Sequence, residues 1–589
     1  MQAHTQMHNA EHAALAERYP LTVAAFAQMH ALEHLERVAR LDAVWEAIRR
    51  GEPAGLPDTI YAYVPPRTRA APLDYDLIYA GGGLGLLHAA VMARHGYRVL
   101  LFDRGEVGCA HREWNISRDE LGALVALGFC TWDELGEIVM AEYDTGVVRF
   151  HSADRAAAHE LCLPDVLNVA LDAGALLRLA RRKLTAAGGT VLDRRTLCGV
   201  SVSAEGRMAV QVRLACGDGA TERYSARLLL DGMGSASPLA LRRFGGQPFA
   251  GVCPTVGTVA RGFVAGPAPH QHNPRVGDIL ISVADAQRGQ QYLWEGFPGR
   301  GDDLTVYLFY YDTLAKRQEP GTTNRLAGDG SSRRSLPGSS EPSLMQLFED
   351  YFALLPSYKQ PGPAFQHLKP VYGYIPARHS LRRQEAPLLR GVLPIGDSAA
   401  QQSPLTFCGF GSHVRNLART TGLLHEALTH DLLEPAHLRP ISAYQANASL
   451  NWVFSRFMQP WAAPGDVNML QNQFLAVLNQ LGPGLARRFF RDQMIWRDYH
   501  KMILGMFWRY PQIVLVAWRV LGPAGVRQWI GDYLAYSWAA LLAWLASRLG
   551  ARTCARLAGA LGRVAPALRL RLHARLAEWR AMGWLSEST

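Results

Sequence analysis

The sequence predicts an α/β protein in three parts: a parallel-sheet domain, a second β-sheet inserted into it, and a helical C-terminal region. Three observations carry this. First, "YDLIYA" (75–80) is a short apolar run followed by the glycine turn "GGGLG", the helical "LGLLHAAVMARHG" (84–96) and a second strand, "RVLLFD" (98–103). Strand, turn, helix and strand within about 30 residues form the β-α-β unit of a Rossmann-type domain. Second, "DILISVADAQRGQQYLWEGFP" (278–298) and "DLTVYLFYYDT" (303–313) read as strands of a separate sheet. Third, the pattern from residue 450 onward is helical and amphipathic almost to the end. A chain of 589 residues exceeds one ordinary core, so several domains are expected.

Residues 1–70 read as a helical extension that ends in the loop "YVPPRTRAAP" (63–72). The Rossmann-type domain is discontinuous, spanning 71–240 and 370–430. Between them, 241–369 reads as a β-rich substrate domain carrying a polar, Gly/Pro/Ser-rich insertion at 316–343. Residues 431–589 form the helical region, and its charge is one-sided. From Leu481 to Thr589 there are 16 Lys and Arg against 5 Asp and Glu, while the whole chain carries +10. Ten of the 14 tryptophans lie after residue 450, which favours a membrane surface over nucleic acid as partner. The longest uncharged apolar run, about Tyr533 to Ser547, would span roughly 22 Å as a helix, short of the ~30 Å hydrocarbon core. It is therefore expected to lie in the interface, with Arg548, Arg552, Arg556 and Arg563 beside anionic headgroups. The eight cysteines contain no C-x-x-C pair and read as reduced thiols, and the N-terminus lacks the basic start and apolar run of a signal peptide. The expected location is cytoplasmic, peripheral on the membrane.

The glycine turn departs from the G-x-G-x-x-G fingerprint. Gly81 and Gly83 fill the first two places, the third falls on Leu86, and Gly85 stands one residue early. Asp103 follows Gly83 by 20 residues, where a carboxylate can accept from a ribose 2′-hydroxyl. Two further segments choose FAD over NAD. "ARLLLDGMGSASPLALR" (226–242) puts an apolar strand before Asp231, and "GVLPIGDSAAQQSPLTFCGFG" (391–411) puts one before Gly396-Asp397 and a helix. The latter resembles the FAD motif of hydroxylase-type flavoproteins, in which the aspartate binds the ribityl chain. The candidate FAD-binding residues are Gly81, Gly82, Gly83, Gly85, Asp103, Arg104, Asp231, Gly396, Asp397 and Gly409.

"GCAHREWNISRDELGALVALGF" (108–129), "GGGLGLLHA" (81–89), "YLWEGFP" (292–298) and "QSPLTFCGFGSHVRNLAR" (402–419) resemble the CruA/CruP type of lycopene cyclase, from about Asp76 to about Leu424. In that family a Gly-x-Leu-Gly turn is normal. The resemblance implies a redox-neutral isomerisation: protonation of linear lycopene, closure of a six-membered ring through a carbocation, and loss of a proton, with reduced FAD stabilising the cation. It implies no metal. The proton requires an acid that stays protonated near neutral pH, most simply a buried carboxyl group. Glu295 in "YLWEGFP" is the first candidate and Glu113 in "REWNISR" the second. Asn115, Ser117 and Arg118 would order the loop beside the flavin. Trp294 and Phe297 could face the cation, and Phe407 and Phe410 could shape the flavin wall. Two other readings stay open: a redox flavoenzyme on an isoprenoid or carotenoid, and a non-catalytic carotenoid-binding flavoprotein.

Overall fold

The computed structural model describes residues 14–50, 60–65, 72–110, 113–246, 251–313, 343–377, 387–399, 409–549, 553, 556, 559–560 and 565–584. Nearly all of the polar insertion, Phe407, Arg552 and Arg563 lie outside the described residues.

A five-stranded parallel sheet forms the heart of the first domain. Its order is Val392–Pro394, Leu228–Asp231, Leu77–Ala80, Val99–Phe102, Thr190–Leu192. Leu77, Ile78, Tyr79 and Ala80 are all fully buried, as a central strand covered on both faces requires. The helices Gly85–Arg94, Ala173–Ala186 and Gly409–Thr429 share its core. Asp172 starts the second of these by accepting from the Ala175 amide at 2.8 Å. Beside this sheet lies a four-stranded one, in which Tyr61–Val64 runs parallel to Arg195–Ser203. The N-terminal extension thus contributes a strand as well as helices.

The second sheet has eight strands and draws on more of the chain than 241–369. Thr145–Arg149 and Glu160–Pro164, from the first segment, form one flank. At the other flank, Pro361–Ala377 pairs along Gly251–Phe263, from Phe263↔Pro361 to Gly251↔Ala377. That long ladder holds the chain in the second sheet past residue 370, and the parallel sheet resumes only at Val392.

Strand alternation divides the second sheet into two cores. Trp294 faces the helix Leu344–Tyr358, stacking on Tyr358 at 4.9 Å, in a core shared with the N-terminal helices. Leu293 and Phe297 face the other way, into a core shared with the C-terminal helices. Trp294 is therefore a packing residue on the face opposite Phe297.

The C-terminal region is clamped to the first domain by buried polar groups. Arg491 binds the Asp119 carboxylate and donates to Ser117 Oγ at 3.3 Å and Asp165 O at 3.1 Å. Arg415, on the helix Gly409–Thr429, pairs with Glu120 at 2.5 Å and donates to the Arg491 carbonyl oxygen. Downstream, the helix Ile513–Leu549 bends where Gly522 adopts φ 65°, ψ 172° before Pro523.

Candidate functional site

The glycine turn sits at the C-terminal edge of the parallel sheet, the end at which α/β sheets bind ligands. Gly81 is locked in place: its φ is 105°, and an added Cβ would lie 2.4 Å from the Gly232 carbonyl oxygen. Gly83 is the reverse, since a Cβ there would meet nothing within 4 Å. The misplaced third glycine also has a physical account. A Cβ at Gly85 would press on Ile395 Cδ1 at 3.3 Å, so Gly85 makes the close helix contact. Leu86 is fully buried, beside Gly108.

Asp103 ends its strand and holds this turn. Its Oδ2 accepts from the Gly82 amide at 2.7 Å and its Oδ1 from the Gly105 amide at 2.8 Å. Arg104 beside it is exposed. Across the sheet edge, Gly396 has φ 62° with open space where a Cβ would be, and Asp397 is exposed in the turn Gly396–Ala399. Gly409 opens the helix Gly409–Thr429. Asp231 points elsewhere: it is buried and accepts from Ser237 Oγ at 2.7 Å and from the Met233 amide at 3.2 Å. Burial raises its carboxyl to about 6. It orders the turn after its own strand rather than facing the open edge. The remaining set suits a dinucleotide, with a side-chain-free cradle at Gly83 and Gly396, helix amides at the turn, and carboxylates on either side.

Under this edge lies a seam of buried histidines. His88 Nδ1 is 2.7 Å from Tyr79 Oη, and burial lowers His88 to about 3 and His413 to about 4. Among the described residues, the Nε2 atoms of both rings are buried without a hydrogen-bond partner.

The strand Glu113–Ile116 bridges the two domains. Trp114 meets Phe410, at the start of the helix Gly409–Thr429, with ring centroids 4.8 Å apart. Glu113 reaches the second sheet, where its Oε1 accepts from Tyr307 Oη at 2.8 Å. Tyr307 pairs in register with Glu295 on the neighbouring strand. The two acids singled out in the sequence, 182 positions apart, thus share one electrostatic neighbourhood. Glu295 is 7% exposed, its Oε1 has no hydrogen-bond partner among the described residues, and its carboxyl is pushed well above the ordinary range. Burial is the main cause and the Glu113 charge the second. Phe297, Tyr143 and Tyr311 belong to the core on this side of the sheet. A carboxyl group in such a setting holds its proton at neutral pH and can donate it.

The flanking residues have structural partners. Tyr143 Oη donates to Asn115 at 3.4 Å, Ser117 Oγ accepts from the Leu167 amide at 3.1 Å, and Arg118 pairs with Glu142. Sequence reasoning missed Tyr307, Arg415 and Arg491. Tyr307 was findable, because a hairpin closing between Pro298 and Leu304 sets it opposite Glu295. The two arginines gave no local signal.

No family model matches the chain, and no curated protein matches it in sequence. Among solved structures, a halogenase PltM complex with ethyl mercury and mercury is 14% identical, covers 85% of this chain and 99% of its own, and has a TM-score of 0.50. The same halogenase with phloroglucinol and FAD is 13% identical over 85% of this chain and 99% of its own, with a TM-score of 0.48. A geranylgeranyl bacteriochlorophyll reductase-like protein from Thermoplasma acidophilum is 14% identical over 75% of this chain and 98% of its own, with a TM-score of 0.46. The chain has the α/β, Rossmann-type fold of such flavoproteins.

Proposed function

We propose that the chain is an FAD-dependent enzyme that cyclises the ends of a linear carotenoid of the lycopene type to β-type rings, by acid-initiated, redox-neutral chemistry. Gly81, Gly82, Gly83 and Asp103 would hold the adenosine diphosphate side of the cofactor, and Gly396, Asp397 and Gly409 its ribityl side. Reduced flavin, when bound there, supplies an anionic ring that stabilises positive charge in a dry pocket.

The observation that carries the reading is Glu295, a buried carboxyl group kept protonated by its apolar surroundings and by Glu113. Glu295 would donate its proton to the terminal double bond. The neighbouring double bond closes the ring, and the ring cation returns a proton to the Glu295 carboxylate, so no electrons are consumed. Tyr307 would act as a positioning residue by holding Glu113 beside that acid. The aromatic side chains of this core, Phe297, Tyr143 and Tyr311 among them, would stabilise the cation through their ring faces.

Glu295→Gln is expected to keep bound flavin and to lose cyclisation by about 100-fold or more, the usual scale for removing a general acid. Wild-type activity should persist through neutral pH and fall only on the alkaline side, where Glu295 ionises. A near-normal rate for Glu295→Gln rules it out as the donor. A flavin-dependent redox reaction on a similar substrate is the competing reading, since one fold serves both chemistries.

A further inference from the structure

The C-terminal helices present an outer face that the other described residues leave uncovered. Thirteen of the 20 large apolar side chains exposed among the described residues fall between Leu504 and Leu549. Seven of them lie in the second arm of the kinked helix, and six form a single stripe: Ile530, Leu534, Trp538, Leu541, Leu545 and Leu549, at steps of three or four residues. The opposite stripe, Asp532, Tyr536, Ala540, Ala543 and Ala546, is buried against the chain's own core. Before the kink, Trp508 is 79% exposed, Leu515 72% and Trp518 59%.

The charges on this surface are all of one sign. Arg497, Lys501, Arg509, Arg519, Arg527 and Arg548 are exposed. The only acids from Trp496 to Leu549 are Asp498 and Asp532, and both are buried. Asp498 is bound by Arg488, and Asp532 accepts from Trp452 Nε1 at 3.1 Å. Among the described residues, no helix is long and apolar enough to cross a membrane.

We propose that the outer face of Trp496–Leu549 docks on the surface of a bilayer containing anionic lipid, with the Ile530–Leu549 stripe lying flat in the headgroup boundary. Tryptophan-rich apolar surface ringed by arginine is the composition that such a boundary accepts. At 1.5 Å per residue the stripe is about 28 Å long, enough to rest along the interface. A second copy of the chain fits poorly, because two-fold pairing of this face would bring its like charges together. The proposal stands apart from the proposed chemistry, and its test reads binding alone.

The test is flotation of the full-length, flavin-loaded protein with vesicles of phosphatidylcholine alone or mixed with phosphatidylglycerol. The protein should float with the mixed vesicles, release on added salt, and bind the neutral ones weakly. The Trp518→Ser, Leu534→Ser, Trp538→Ser triple variant should lose about tenfold or more of this binding with unchanged circular dichroism. Should the triple variant fail to fold, Arg519→Gln with Arg527→Gln takes its place and should lose the preference for anionic lipid. Wild-type protein that floats with neither vesicle overturns the proposal. So does a soluble dimer that the triple variant converts to monomer, which would make the face a contact between copies.

Discussion

At Gly81 an added Cβ would lie 2.4 Å from a backbone oxygen, whereas at Gly83 it would enter open space. Gly81→Ala should therefore destabilise the fold itself, by about 1–3 kcal/mol for the forced positive φ and more for the clash. Gly83→Ala should fold as well as wild type yet bind FAD more weakly, because its methyl occupies the cradle. Thermal melting with flavin absorbance separates the two, and full flavin occupancy in Gly83→Ala would place the cofactor elsewhere. At this scale the residues that act through local backbone were legible: the glycines announce a turn, and Asp103 follows at the distance a β-α-β unit dictates. Asp231 was not, because its orientation depends on the Ser237 hydroxyl reaching back over its turn. Nor was the link between Glu113 and Tyr307, which joins residues 194 positions apart.

Between the helices Gly85–Arg94 and Gly409–Thr429, His88 and His413 are buried and neutral, with pKa values lowered to about 3 and about 4. A depressed histidine contributes stability that is complete above its unfolded value, about 6.5, and is lost as pH falls toward the folded value. Each should cost about 1.4 kcal/mol per pH unit within that window. Denaturant unfolding of the holoprotein between about pH 6.5 and pH 4.5 should show the summed slope. His88→Gln should remove roughly half of it, and an unchanged slope would mean that His88 is not buried neutral. The elements themselves were partly readable. The β-α-β unit and the strands within 278–298 and 303–313 follow from local pattern. The flanks of the second sheet were hidden, since Thr145–Arg149 and Pro361–Ala377 join it through long-range pairing that no local period reveals.

Across the whole molecule, the C-terminal region packs against the elements that carry the candidate site. Arg491 ties it to the segment Ser117–Asp119, just beyond the strand that carries Glu113, and its carbonyl oxygen accepts from Arg415 of the helix Gly409–Thr429. The inner side of the C-terminal helices completes the core that contains Phe297 and Tyr307, and their outer side presents the apolar surface. Composition had marked this region as basic and tryptophan-rich, but its attachment rests on a buried arginine, Arg491, that looks like ordinary surface charge in sequence. In the proposed chemistry a buried acid drives an isomerisation without net electron transfer. Its most direct test supplies lycopene in vesicles to the holoprotein with its flavin reduced, and measures pigment mass and absorption. A product of unchanged mass with absorption shifted to the blue is predicted. A gain of two hydrogens or of one oxygen, or unaltered lycopene with the flavin fully loaded and reduced, would contradict it.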